Sequence, residues 1–341
     1  MEEERARKLV ALPMVGGDGL NSYAKNSASQ PLFLVVAIVE NLDIVIPSKS
    51  FSIADLVCSV GSNTIASVEN IIEAVELKYQ SQEQTSEIPE FQVFFNDQTS
   101  NDFNTLFKYI PQDKNYYAAG VPGFFYDRIF PSASLHLVHS SFSIHWLSRV
   151  PKEVMNKSSS CWNKVRVYYS DAEEEVVKAY KAQSEKDMEK FLQARAQEVV
   201  AGGIMVLTIL GIPNATPHSE CWVNKCFEFI GDCLMDMARK GRVNEEKVNS
   251  FNLPIYLILE KKEILPGLLN PTSSDAHQMA FVARAVFKEL IKQEFGGEII
   301  EHLFESYLLK ITEYINSSSL HELFAKTMRF LVVLKYKPSD Y

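Results

Sequence analysis

The apolar positions of this chain fall into two alternating periods. Residues 50–58 and FQVFFND (91–97) read as strands running into polar turns, and residues 64–80 carry Ile65, Val68, Ile72, Val75 and Tyr79 on one helical face. A short amphipathic segment, DFNTLFKYI, precedes two candidate strands, NYYAAG and SLHLVHS. A long helix over 173–200 and a buried, glycine-bounded strand, GGIMVLTILG (202–211), come next. Strand, turn and helix in alternation predict an open α/β sheet. Past Pro217 the pattern becomes helical, at 221–240, 274–295 and 297–315, until RFLVVLKY (329–336) returns as a last strand. The expected organisation is a doubly wound α/β domain over 1–215, a mostly helical cap over 216–325, and a final strand over 326–341 rejoining the sheet. Such sheets bind ligands beyond the carboxyl ends of their strands at the switch point, here residues 55–63 and 97–100.

Charge narrows the partners. A net charge of −9 argues against a surface that tracks nucleic-acid phosphates, which needs a basic patch. Five cysteines, without a C-x-x-C pair, suggest neither a disulfide framework nor a zinc ribbon and fit a reducing compartment. The N-terminus, MEEERARKLVALP, lacks the apolar core of a secretory signal. The longest apolar run, residues 32–39, is eight residues, far below the roughly 20 of a membrane span. These features predict a cytoplasmic protein without a membrane span.

Several residues could carry chemistry. Asp55 ends a strand before a small-residue turn, SIADLVCSVGSNT, an arrangement that lets backbone N–H groups approach a nucleotide-like ligand and that equally suits a turn-capping Asp. Asp97 ends the next strand, where a carboxylate can accept both hydroxyls of a ribose; a solvated loop Asp is the alternative. Trp146 offers an indole N–H to a carboxylate, although a lone Trp at this spacing also suits a core, as does His145.

Three motifs in order, MVGGDGLNSYAKNSASQ (14–30), SIADLVCSVGSNT and VPGFFYDRIFP…HSSFSIHWLSRVP, resemble those of the plant SABATH methyltransferases, and most closely the loganic-acid branch of carboxyl methyltransferases. The resemblance implies a Rossmann-like class I methyltransferase sheet and S-adenosylmethionine as cofactor. It also implies a small-molecule carboxylic acid as acceptor and a homodimer. The cofactor would meet Tyr23, Ser27, Asp55, Cys58, Asn63, Asp97, Gln98, Phe124 and Phe125. The acceptor would meet Gln30, Phe142, His145 and Trp146. A Mg²⁺ ion would be contacted by Asn163, Asn249, Phe251 and Asn252, with Asn249 standing where the family has Asp.

The cofactor pattern is D-x-G-C-x-x-G-P-N in the family, and this chain has Val57 for its glycine and Ser62 for its proline. Val15 replaces a lysine, Gln98 an apolar residue and Phe124 a serine. The segments between Gln30 and Phe51 and after Ile255 are shorter than the family's. These departures leave two alternatives beside carboxyl methylation: a non-catalytic member with weak cofactor binding, and methylation of a purine-like nitrogen. A carboxylic acid is already ionised at neutral pH, so no general base is expected.

Overall fold

In the computed structural model, which describes residues 31–43, 49–81, 88–212, 216–259, 276–317 and 328–337, the alternating segments pair into one seven-stranded sheet. Its strands are β1 (Ser50–Leu56), β2 (Glu90–Asp97), β3 (Tyr116–Pro122), β4 (Leu135–Ser141), β5 (Val199–Ile212), β6 (Ile258–Leu259) and β7 (Met328–Lys335). The order is β3-β2-β1-β4-β5, all parallel. Two further strands pair with β5: β7 antiparallel along 204–211, and the short β6 parallel at Gly211 and Ile212. Strand order reverses between β1 and β4, so the predicted switch point lies where β1 ends.

Side chains alternate across β1, and each face finds its own helices. Phe51 and Ile53 join Leu137, Ile204 and Val206 under α1 (Pro31–Asn41) and α2 (Ser62–Gln80), against Leu34, Ile38, Val68, Ile72 and Val75. Ala54 and Leu56 face the other way, into a cluster with Val138, Leu207, Phe125 and Phe191 of α5 (Glu174–Glu198). Each fully buried aliphatic side chain contributes about 1.5–3 kcal/mol relative to exposure, so these two layers fix the strand register. The stripe foreseen on α2 is buried, with Ile71 and Ala74 added. The helix α1 was not foreseen, because PLFLVVAIVEN is apolar without a clear period; its leading proline suits a first helical turn.

The strand β5 starts three residues earlier than the glycine boundary suggested. Pairing with β4 shifts register between Leu135 and Leu137, and the irregularity falls at Gly202, with φ +80°. At Gly203 a Cβ would lie 2.6 Å from the Val199 side chain and 3.0 Å from the His136 carbonyl, so only glycine fits this bulge.

Short helices α3 (Phe103–Tyr109) and α4 (Lys152–Met155) connect strands. The helical layer comprises α6 (Trp222–Arg239), α7 (Glu245–Ser250), α8 (Ala276–Phe295) and α9 (Ile300–Ser317). Trp222 of α6 stacks on Tyr314 of α9 with ring centroids 5.6 Å apart. The apolar cluster of this helical layer also takes in Leu147, Val150, Tyr168, Tyr169 and Tyr180.

Candidate active site

At the end of β1, Asp55 is buried and both carboxylate oxygens are engaged. Oδ1 lies 2.7 Å from His139 Nδ1 on the neighbouring β4, its register partner, and Oδ2 accepts the Thr64 hydroxyl from the first turn of α2. Between these anchors the turn bends through three positive φ angles: Val57 at 59°, Ser59 at 56° and Gly61 at 136°. The left-handed region is open to glycine and costly for a β-branched residue, about 1–3 kcal/mol, so the valine at the family's glycine position carries the strain its sequence suggests. Cys58 N–H donates to the Asn96 carbonyl at 2.9 Å, and Asn101 Nδ2 donates to the Ser59 carbonyl at 3.2 Å, closing the turn over the end of β2. The Cys58 thiol is buried and its pKa is pushed well up, first by burial and then by Asp97 and Asp55, which makes it an inert wall. Asn63 lies in the first turn of α2, beside Thr64.

Asp97, the last residue of β2, faces that turn. Its Oδ2 accepts the Ser59 N–H at 2.6 Å and its Oδ1 the Gln98 N–H at 2.7 Å. Burial pushes its pKa up to about 6 against the pull of these two bonds. A carboxylate so desolvated retains lone pairs for further donors. Of ten side-chain polar atoms buried without a hydrogen-bond partner among the described residues, five, Ser59 Oγ, Asn96 Oδ1, Gln98 Oε1, His139 Nε2 and His145 Nδ1, belong to this end of the sheet. All five lie at or just past the carboxyl ends of β1, β2 and β4. Native interiors leave few polar atoms unpaired, so this concentration marks ground where a polar ligand completes the bonding, and a nucleoside fits that requirement.

The segment after β3 brings Phe124 and Phe125 to the same edge, half-buried and buried, with ring centroids 5.8 Å apart. Gly123 N–H donates to the Asp97 carbonyl at 2.8 Å, and Asn96 Nδ2 donates to the carbonyls of Val121 and Gly123. The rest of this loop is held by an ion pair that sequence analysis missed. Arg195 and Glu198, fully buried in the last turn of α5, bond each other at 2.7 Å. Arg195 also donates to the carbonyls of Phe125 and Asp127, and Glu198 Oε1 accepts the N–H groups of Ile129 and Phe130. The signal was present: both charges sit on the stripe of Phe191 and Ala194, where an apolar face is otherwise expected.

After β4 the chain presents the residues assigned to the acceptor. Phe142 takes φ +53° and its N–H donates to the Thr208 carbonyl at 2.8 Å, turning the strand outward. His145 is buried, and burial lowers its pKa to about 4, so the imidazole is neutral at physiological pH. Trp146 forms a β-bridge with Ile255, while the Tyr256 N–H donates to the His145 carbonyl at 2.9 Å. Tyr126 Oη donates to the Trp146 carbonyl at 2.6 Å, and the indole lies 6.0 Å from the Phe287 ring of α8. The His145 and Trp146 rings lie 6.4 Å apart, and Phe142 sits where the chain leaves β4.

Of the four residues assigned to Mg²⁺, Asn163 and Asn252 bond each other, while Asn249 and Phe251 bond and pack elsewhere. Asn163 Nδ2 donates to Asn252 Oδ1 at 2.7 Å and to the Tyr168 carbonyl at 3.1 Å, and Asn249 Oδ1 accepts the Val165 N–H at 2.9 Å. Phe251 is buried, edge-on to Phe295. Asn163 Oδ1 and Asn252 Nδ2 are buried without a hydrogen-bond partner among the described residues. The side chains are all neutral, two of their three carbonyl oxygens already accept hydrogen bonds, and without a carboxylate this donor set fits Mg²⁺ poorly. Tyr23, Ser27, Gln30 and Val15 lie outside the described residues.

Comparison with known proteins gives the chain its relatives. Residues 10–264 match the family model for SAM dependent carboxyl methyltransferases. Loganic acid O-methyltransferase of Catharanthus roseus is 41% identical over 332 residues, covering 89% of either chain. Farnesoic acid carboxyl-O-methyltransferase of Arabidopsis thaliana is 42% identical over 261 residues, 74% of either chain. A solved structure of loganic acid methyltransferase with SAH superposes with a TM-score of 0.87 at 39% identity, covering 96% of this chain and 99% of that one. With a family model spanning most of its length and a relative 41% identical across 89% of it, the chain belongs to the S-adenosylmethionine-dependent carboxyl methyltransferases, the SABATH family.

Proposed function

We propose that this enzyme makes the methyl ester of a small carboxylic acid bound between the β4 exit and the cap, with the nucleoside of its cofactor on Asp97. The observation that carries the reading is the buried Asp97 carboxylate, with spare lone pairs, among unpaired polar atoms. The cofactor supplies an electrophilic methyl on sulfonium; an O–CH₃ bond forms as the S–CH₃ bond breaks, and the electron pair goes to sulfur. The acceptor carboxylate brings its own negative charge, so no residue needs to remove a proton. The protein's work is alignment, with gains from proximity and orientation. The indole N–H of Trp146 donates to the acceptor carboxylate, and the neutral His145 offers Nδ1 to a polar group beside it. Phe142 forms the apolar wall, and Gln30 is assigned the second carboxylate contact. Tyr23, Ser27, Asn63, Gln98, Phe124 and Phe125 complete the cofactor assignment. The acid's identity awaits a screen against plant carboxylic acids.

The reading includes a homodimer in the cytoplasm. Five free cysteines support a reducing compartment, and among the described residues no helix is long and apolar enough to cross a membrane. Metal has no part in the reading, since the asparagine cluster brings no carboxylate to hold Mg²⁺. Incubation of an acid panel with S-adenosylmethionine tests the function. Trp146→Ala should cut ester formation while leaving S-adenosylhomocysteine affinity nearly unchanged. Equal loss of both would assign Trp146 to the core.

A further inference from the structure

His139 belongs to none of the assignments above, yet it sits at the centre of the site. It lies on the same face of β4 as Leu137, among apolar side chains, and is 1% exposed. One ring nitrogen is 2.7 Å from Asp55 Oδ1; the other is buried without a partner among the described residues. Burying an imidazole with one nitrogen unpaired is unfavourable, and an aliphatic residue would fill this row more cheaply. What the histidine contributes that an aliphatic residue could not is a donor to Asp55.

That donor acts on the β1–α2 turn. With the imidazole in its Nδ1–H tautomer, the one this 2.7 Å contact to a carboxylate oxygen favours, His139 donates to Oδ1, and the Thr64 hydroxyl donates to Oδ2. With both oxygens held, the carboxylate plane cannot rotate. Through Thr64 it ties the first turn of α2 to the sheet, and the backbone in between runs through three positive φ angles. A turn so strained keeps its shape only while its surroundings over-determine it.

We infer that His139 is a positioning residue for cofactor binding: by donating to Asp55 it locks the carboxylate that sets the conformation of the β1–α2 turn. The inference rests on the reading of that turn as part of the cofactor site. His139 is not a general base here, since the acceptor brings no proton to remove.

Calorimetric titration with S-adenosylhomocysteine tests this on the wild type, His139→Leu, His139→Asn, Asp55→Asn and the double variant Asp55→Asn/His139→Leu. Loss of a hydrogen bond to a charged group should weaken binding roughly tenfold or more in His139→Leu. His139→Asn, whose amide N–H₂ takes the place of Nδ1, should stay within about threefold of wild type. In the Asp55→Asn background, adding His139→Leu should change affinity by less than about twofold, because coupled residues are not additive. Wild-type affinity in His139→Leu, equal losses in the Leu and Asn variants, or additive losses in the double variant would each overturn the inference. If His139→Leu does not fold, His139→Gln replaces it. Its amide reaches the Nε2 position rather than Nδ1, so it should bind weakly where Asn binds well, and equal binding by the two refutes the role. Failure of the wild type to bind, or undiminished binding by Asp55→Asn, would instead overturn the reading of the turn itself.

Discussion

Lowering the pH from 7 to 5 should weaken S-adenosylhomocysteine binding about tenfold through Asp97. Its carboxyl is raised from 3.8 to about 6, chiefly by burial. Ribose hydroxyls donate, so they bind the ionised form. With a pKa near 6 about nine-tenths of the sites are ionised at pH 7 and about one-tenth at pH 5, which sets the expected ratio. The same shift costs the free protein about 3 kcal/mol above pH 6, because a carboxylate is held in a dry site. The sign follows from proton counting. Between pH 3.8 and 6 the folded state binds more protons than the unfolded state, so this penalty is fully present above 6 and is relieved as the pH falls toward 3.8. His145 and His218, lowered to about 4 by burial, stay neutral across the window and do not confuse the reading. Titrations at pH 5, 6 and 7, in buffers of different ionisation enthalpy, should show proton release on binding at pH 5, approaching one proton. Asp97→Asn should bind more weakly and without pH dependence. A wild type whose affinity is flat from pH 7 to 5, or a variant that keeps the wild-type slope, would refute the ribose assignment.

Other outcomes follow from the strained turn, the buried pair and the asparagine cluster. Val57→Gly relieves a left-handed residue, worth about 1–2 kcal/mol, against a glycine entropy cost of about 0.5–1 kcal/mol. The melting temperature should therefore move little, while S-adenosylhomocysteine binds at least roughly threefold more tightly, a gain of about 0.65 kcal/mol; no gain in affinity would mean the valine is accommodated. Arg195→Met strands Glu198 in the core and should cost about 3–5 kcal/mol. On thermal unfolding that is a fall of roughly 4–7 °C, and Arg195→Met/Glu198→Leu should recover much of it; a fall of under 2 °C would rule out the buried pair as the loop's anchor. Mg²⁺ or its removal by chelator should leave the parent's melting temperature unchanged, whereas Asn249→Asp should gain a Mg²⁺-dependent rise. A chelator-sensitive parent would show that the asparagine cluster binds metal after all.

Much of the fold was legible because its signals are local. Turn glycines, short apolar runs and a period of 3.6 gave the strands and α2 within a few residues, and the last strand was visible as RFLVVLKY. What escaped depended on distant partners. The α1 segment carries an apolar residue even where it is exposed, at Val36, so the buried stripe of Leu34, Ala37 and Ile38 that packs against α2, β5 and β7 did not stand out. The two residues of β6 pair only with the end of β5, which no sequence window of that length can signal. The site divided in the same way. Asp55 and Asp97 were readable from their positions at strand ends, whereas His139 looked like one more residue of a buried strand until its register partner proved to be Asp55.

The departures from the family pattern gain meaning from that arrangement. A valine forced to φ +59° would, in an unsupported turn, favour relaxation to an extended conformation. Here the turn is pinned at both ends and in its middle: Asp55 holds β1 to α2, the Cys58 N–H is bound to the Asn96 carbonyl, and the Ser59 N–H is bound to the Asp97 carboxylate. In the proposed reading Asp97 serves the turn and the nucleoside with the same carboxylate, and the strain at Val57 bears on the residue proposed to receive the cofactor. Loss of the Asp97 charge should consequently loosen the turn as well as remove a ribose contact. Asp97→Asn should make the Ser59 amide proton exchange faster in the free protein, whereas Val57→Gly should slow it. Opposite movement of that one amide in the two variants, read by hydrogen exchange, would establish the coupling; unchanged exchange in both would mean that the turn and the ribose site are independent.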